Sequence, residues 1–128
     1  MNKNFYVRIT LLKFGKGTPD MTYEAILNQL GYTPNEALSQ QLSRIEANTH
    51  GYDKIIKHIV DLHEALKTDD SYVALSNSND CFKIKIDATN ESSAADALEK
   101  INHFADKYKV ELQKVEGKPT YYILGFAK

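Results

Sequence analysis

The sequence predicts one α+β domain over residues 1–128, with a mixed or antiparallel sheet of about five strands and helices packed mainly on one face. Three observations support this class. Apolar side chains alternate in FYVRIT and CFKIKIDA, they recur every three to four residues in the segments between and after, and no repeat or linker divides the chain. The predicted order is β-α-α-α-β-β-α-β-β, which is compatible with a ferredoxin-like, split β-α-β sheet with additions.

The composition is that of an ordinary globular protein. Of the 128 residues, 42% are hydrophobic and 26% are charged, so disordered and fibrous classes are disfavoured. A single cysteine, Cys81, excludes an intrachain disulfide and favours a reducing compartment. The start of the chain lacks the features of a signal peptide, and the apolar runs are short. We therefore expect a cytoplasmic protein with no membrane-spanning segment.

The first predicted strand covers residues 5–14. Val7, Ile9 and Leu11 alternate there with Arg8 and Thr10, which is the period of a strand with one buried face.

Three helical segments are predicted next, at about 19–30, 34–47 and 52–67. A Thr-Pro pair precedes each of the first two, and Thr33 with Glu36 has the spacing of a capping box. The predicted inward positions of the three segments are Ile26, Leu27, Leu30, Leu38, Leu42, Ile45, Ile55, Ile56, Ile59, Leu62 and Leu66. Only the residues around Gly51 interrupt the second and third segments, so one bent helix over 34–67 stays an alternative.

Two hairpins and a long helix complete the chain. Strands are predicted at 71–76 and 81–88, a helix at about 91–109, and strands at 110–115 and 120–127. The predicted apolar stripe of the long helix comprises Ala94, Leu98, Ile101, Ala105 and Tyr108. Because the closing strand, TYYILGFA, is strongly apolar, we expect it to be central in the sheet or covered by a second chain.

A winged helix-turn-helix core with extra strands is the alternative fold. Residues 19–47 would supply the helix-turn-helix and 71–88 the wing. The base-reading candidates on the second helix are Asn35, Ser39, Gln40 and Arg44. Residues 20–70 carry four basic and nine acidic side chains, however, and this charge disfavours contact with DNA phosphates.

A second candidate surface is the sheet face that points away from the helices. If Val7, Ile9, Ile84 and Ile86 point inward, the opposite face carries cations between aromatic rings. Its members are Tyr6, Arg8, Lys83, Lys85 and one of Tyr121 or Tyr122. Such a face suits a partner protein, and it also suits single-stranded nucleic acid.

No residue set indicates catalysis, a cofactor or a metal. The glycines of FGKGT do not have the spacing of a phosphate-binding loop. His58 and His63 are five positions apart, about 140° around a helix, so they are poorly placed to share a metal. We expect these two, with His50 and His103, to be surface side chains, and we expect Asp80 to disfavour thiolate formation at Cys81.

The sequence therefore favours a small non-enzymatic binding domain that acts through protein–protein contacts, as an adaptor, an inhibitor or a regulatory accessory protein. Its partner is expected to be another protein or a second copy of the chain. A nucleic-acid-binding regulator is the alternative.

Overall fold

The computed structural model describes residues 21–127. Its elements are α1 (Tyr23–Gln29), α2 (Glu36–Asn48), α3 (Tyr52–Leu66), a 3-10 turn (Lys67–Asp69), β1 (Ser71–Leu75), β2 (Phe82–Ile86), α4 (Glu91–Tyr108), β3 (Val110–Lys114) and β4 (Thr120–Phe126). The α+β class is confirmed, and the order from the first helix onward is the predicted one. The predicted strand at 5–14 lies outside the described residues.

The helix starts differ from the predicted ones because nearer side chains cap them. Thr22 caps α1, so this helix begins at Tyr23 and not near residue 19. Asn35 caps α2 by accepting a hydrogen bond from the Leu38 N–H at 2.8 Å, so the predicted capping box of Thr33 is wrong.

Residues 34–67 form two helices. Gly51 has φ +68°, in the left-handed region that glycine adopts without strain. This conformation is not helical, so α2 and α3 are separate helices.

All strand pairs in the described sheet are antiparallel, in the order β1-β2-β4-β3. Since β4 is antiparallel to both of its neighbours, β2 and β3 run parallel to each other, and α4 connects them as a split β-α-β unit. The described sheet has four strands where about five were predicted, and the chain's last strand fills the gap between β2 and β3. The expectation that the apolar closing strand would be central is confirmed.

The alternative fold is not the one formed. The predicted wing, β1 with β2, is part of a continuous sheet in which β2 also pairs with β4 through Lys83 and Tyr122. Within residues 21–127, no helix combines the length and the apolar run that crossing a bilayer requires.

The core lies between one face of the sheet and the helices, chiefly α3 and α4. Its largest fully buried side chains are Phe82, Ile26, Leu27, Leu42, Ile45, Ile55, Ile59, Leu66, Ile84, Ile101, Ile123 and Val73.

The buried stripe of α4 is rotated from the predicted one. Ala97, Ile101 and Phe104 are buried, whereas Leu98 is 38% exposed. Helix α4 packs against both the sheet and α3, so the position of its buried stripe depends on two neighbours at once.

Candidate binding face

The sheet has a second face that is not part of the core. Strand alternation places Tyr72, Ala74, Lys83, Lys85 and Tyr122 on this face, which we call the open face. All five are half-buried, in contrast to Val73, Ile84 and Ile123, which lie on the core side. Within residues 21–127, the open face therefore lies on the side of the sheet opposite the core and is partly exposed.

The strand register brings the predicted cations and rings together. Lys83 lies opposite Tyr122 on one side and Ala74 on the other, and Lys85 lies opposite Tyr72. Directly opposite side chains on one face are close enough to contact each other. Each lysine of β2 thus lies opposite one tyrosine of a neighbouring strand.

Of the two tyrosines predicted as alternatives for this surface, the structure places one on the open face. Tyr121 packs against the core, with the Lys114 ammonium 5.9 Å from its ring centre, so Tyr122 and not Tyr121 lies on the open face. Tyr6 and Arg8 lie outside the described residues.

The two lysines of the open face form no ion pair within residues 21–127. The ion pairs among residues 21–127 join Arg44 to Asp80, Lys67 to Glu64 and Lys100 to Asp69, and none involves Lys83 or Lys85. The open face consequently presents two adjacent positive charges.

A polar cleft of about 810 Å³ adjoins the open face, between α2, the β1–β2 loop and β4. Arg44, Asn48, Asn79, Asp80, Gln113, Tyr122 and Leu124 are among its lining residues. Leu124 is 39% exposed, so an apolar contact is available beside the polar ones. Sequence reasoning missed this cleft, because its residues come from four separate stretches of the chain.

Hydrogen bonds between neighbouring elements shape the cleft. Asn48 Nδ2 donates to the Asp80 carbonyl at 2.8 Å, and Arg44 Nε lies 3.4 Å from an Asp80 carboxylate oxygen. The hydroxyls of Ser78 and Tyr122 are 3.2 Å apart. These bonds connect α2, the β1–β2 loop and the open face.

The four helix-turn-helix candidates do not form one surface. At about 100° per residue, Asn35 and Arg44 lie on opposite sides of α2. The Asn35 side chain caps the helix, Gln40 donates to Glu36 at 3.4 Å, and Ser39 is half-buried. Only Arg44 lines the cleft.

The structure distributes the histidines between several environments. His63 is 6% exposed, so the expectation that it is a surface side chain is wrong; burial lowers its pKa. Its Nδ1 accepts a hydrogen bond from the Val73 N–H at 3.0 Å. His50 and His103 are exposed, and His58 is half-buried. Within residues 21–127, no group of three or more His, Cys, Asp or Glu side chains is arranged to hold a metal ion.

His58 and His103 line a second groove, between α3 and α4. The His58 ring stacks on Tyr108 with ring centres 3.6 Å apart, and burial lowers the pKa of His58. Sequence reasoning did not identify this groove, although acidic residues beside the apolar stripes of both helices were a usable signal.

Cys81 lines the polar cleft but is 6% exposed. Burial, and secondly the nearby Asp80 carboxylate, raise the pKa of its thiol. Asp80 therefore disfavours the thiolate form of Cys81, as the sequence predicts. The protonated form is the weaker nucleophile, so the cleft lacks an activated thiol.

Comparisons of the chain with protein-family models, with curated proteins and with solved structures found no match.

Proposed function

We propose that this protein is a small non-enzymatic binding domain whose open face contacts an acidic surface of a partner protein. The observation that carries the proposal is the register of Lys83 and Lys85 with Tyr122 and Tyr72. Tyrosine supplies contact area at low cost in side-chain entropy, and the lysines select partners of opposite charge.

The size of the open face indicates that the contact extends into the polar cleft. Three strands, each about 4.8 Å wide and about 17 Å long, give a footprint of roughly 250 Å². A stable interface needs about 800 Å² on each partner. Leu124 and Gln113, which lie in the cleft beside Tyr122, are the nearest additional contacts.

The bonding within the cleft supports a binding role over a reactive one. Arg44 forms an ion pair with Asp80, and the Ser78 hydroxyl is hydrogen-bonded to the Tyr122 hydroxyl. These contacts fix the relative positions of the elements around the cleft. The buried free thiol of Cys81 is consistent with a reducing cytoplasm.

The experiment uses a photo-crosslinking amino acid in place of Tyr122, expressed in the cells that contain the protein. We expect a protein adduct at this position that is lost in a Lys83→Glu/Lys85→Glu variant. The control for position is the same crosslinking amino acid in place of the exposed Leu98, on α4. The control for charge is a Lys57→Glu/Lys118→Glu variant, which changes the net charge by the same amount. The proposal fails if position 122 gives no protein adduct, or if the control variant removes the adduct equally.

A nucleic-acid partner is the second candidate, because cations between aromatic rings also suit phosphates and stacked bases. The test is fluorescence anisotropy of labelled oligothymidylate and oligouridylate at about 50 mM salt, where phosphate contacts are strong. Binding that weakens with salt and is lost in Lys83→Glu/Lys85→Glu would assign the open face to nucleic acid and contradict the first proposal. Absence of binding would remove the second candidate.

A further inference from the structure

We infer that the groove between α3 and α4 binds an amphipathic helix of a partner protein, one that carries lysine or arginine beside an apolar stripe. This site is separate from the open face, because α3 and α4 pack on the core side of the sheet. A partner bound in this groove would therefore leave the open face free.

The groove has the dimensions of a helix site. Its volume is about 490 Å³, and its lining on α4 runs from Asp96 to Tyr108. At 1.5 Å per residue this distance is about 18 Å, or roughly three turns of a docked helix. The two walls are antiparallel, since His58 contacts Tyr108 while the Ala65 carbonyl accepts a hydrogen bond from Lys100.

The groove floor is apolar and fixed. Leu62 and Phe104 are 5% and 3% exposed and belong to the core, so their positions are set before any partner arrives. Ala65 is exposed and lies in the same lining. Its small side chain leaves room for a larger apolar side chain of the partner, as helix-in-groove recognition requires.

The charge of the lining selects the partner. Asp61, Asp96 and Glu99 are exposed carboxylates along the groove, and none belongs to an ion pair among residues 21–127. Among the described residues that line the groove, Lys100 is the one that carries an ammonium, and the Asp69 carboxylate, 2.7 Å away, compensates its charge. An apolar stripe flanked by cations is complementary to this surface.

The charge is also uneven along the groove, which predicts an orientation. Asp96 and Glu99 lie toward one end, whereas the Lys107 ammonium lies 5.5 Å from the Tyr108 ring at the other. We expect the cations of the bound helix to lie near Asp96 and Glu99.

The experiment measures anisotropy of a labelled synthetic helix of about 15 residues, with leucines on one stripe and lysines beside it. A second peptide has glutamate at each lysine position. We expect the lysine peptide to bind at least about tenfold more tightly than the glutamate peptide, a difference of about 1.4 kcal/mol. Equal binding of the two peptides, or no binding of the lysine peptide, would overturn the inference.

Protein variants locate the site. Asp96→Lys/Glu99→Lys should weaken binding of the lysine peptide about tenfold, and Ala65→Trp should block the groove without disturbing the core, because all three positions are exposed. Glu111→Lys/Glu116→Lys, on β3 and the following turn, is the control with equal charge change. The Lys83→Glu/Lys85→Glu variant should still bind the peptide, so failure at the open face and failure at the groove are distinguishable. Weakening by the control as large as by Asp96→Lys/Glu99→Lys would contradict the inference, as would full binding by Ala65→Trp.

Discussion

The backbone N–H of Val73 donates a hydrogen bond to Nδ1 of His63, with 3.0 Å between the two nitrogens. Strand β1 is an edge of the described sheet, so this N–H has no strand partner there. The next outward N–H, that of Leu75, donates to the Tyr32 hydroxyl at 3.0 Å. Two side chains from the helical part of the chain thus accept hydrogen bonds from two outward N–H groups of β1, which leaves fewer unpaired groups on this edge.

Because His63 Nδ1 accepts the hydrogen bond from Val73, we expect acid to destabilise the fold. A protonated Nδ1 cannot accept the Val73 N–H, and burial lowers the pKa of His63 below its usual 6.5. The unfolded chain therefore takes up the proton more readily. The stabilisation is complete above about pH 6.5 and is lost as pH falls through the lower pKa of the folded state.

Urea unfolding at about pH 7.5 and about pH 5 measures this loss. His63→Gln keeps an acceptor without a titrating proton, so we expect the difference between the two pH values to shrink. Burial also lowers the pKa of His58, and His58→Gln isolates that second contribution. An unchanged difference in His63→Gln would show that His63 does not couple folding to pH.

The ion pair between Lys100 and Asp69 lies at the end of α3, and we expect its loss to lower the free energy of unfolding. The Lys100 ammonium donates to the Ala65 carbonyl at 2.9 Å, to the Thr68 hydroxyl at 3.0 Å and to the Asp69 carboxylate at 2.7 Å. The Asp69 side chain is 9% exposed, so Lys100→Met leaves a buried carboxylate without its cation. We expect a loss of about 2 kcal/mol, reduced from the fully buried case because Lys100 is partly exposed.

Lys67→Met is the matched control. It breaks the exposed pair with Glu64, whose side chains are 56% and 51% exposed, so the expected cost is below about 0.5 kcal/mol. Both losses of unfolding free energy follow from the shifts in denaturation midpoint, with the slope of free energy against denaturant concentration held constant. Equal costs for the two variants would show that burial of Asp69 does not matter.

A close backbone approach at Gly125 predicts that alanine is not tolerated there. Gly125 has φ +141°, and a Cβ would lie 2.6 Å from the His50 carbonyl oxygen and 2.7 Å from its backbone nitrogen. The adjacent Phe126 N–H donates to that same carbonyl at 2.6 Å, so a shift would also break this bond. We expect Gly125→Ala to cost about 3 kcal/mol, from backbone strain and from the clash.

Gly117→Ala separates the two contributions. Gly117 also has a positive φ, +78°, but a Cβ there meets nothing within 4 Å. Its cost should be limited to backbone strain, about 1 kcal/mol. Thermal or urea unfolding would contradict the argument if the two glycines proved equally sensitive.

The elements could be predicted because their apolar spacing is a local property. Each of α1 to α4 and β1 to β4 was predicted within about four residues at either end. The spacing of Thr33 and Glu36 predicts Thr33 as the cap of α2, and the structure has Asn35, since neighbouring polar residues compete for the same N–H groups.

What could not be predicted depends on contacts between distant residues. The exposure of Leu98 follows from how α4 packs on two neighbours, and the burial of His63 follows from the unpaired edge of β1. The open face was anticipated through Lys83 and Lys85, because strand alternation is local. The cleft and the α3–α4 groove exist only once separate segments are packed together.

We expect the substitution Tyr52→Phe to stabilise the protein, because it removes a buried hydroxyl. Tyr52 is 8% exposed, its ring stacks on Phe82 with centres 6.4 Å apart, and its hydroxyl oxygen has no hydrogen-bond partner among the described residues. Burial, and secondly the Glu46 carboxylate, raise the pKa of Tyr52, so the hydroxyl stays protonated and neutral. Tyr52→Phe keeps the packing and removes an unpaired polar group, so the free energy of unfolding should rise by about 1 kcal/mol.

Tyr23→Phe, on α1, provides the opposite case. The Tyr23 hydroxyl donates to the Glu46 carboxylate, and burial with this bond raises the pKa of Tyr23 to about 12. Its loss should lower the free energy of unfolding by about 1.5 kcal/mol, the lower end for a bond to a charged group, since the site is only partly buried. Urea titrations of both variants at neutral pH test the pair. If Tyr52→Phe destabilises the protein as Tyr23→Phe does, then the Tyr52 hydroxyl makes a stabilising bond and the argument from its isolation is wrong.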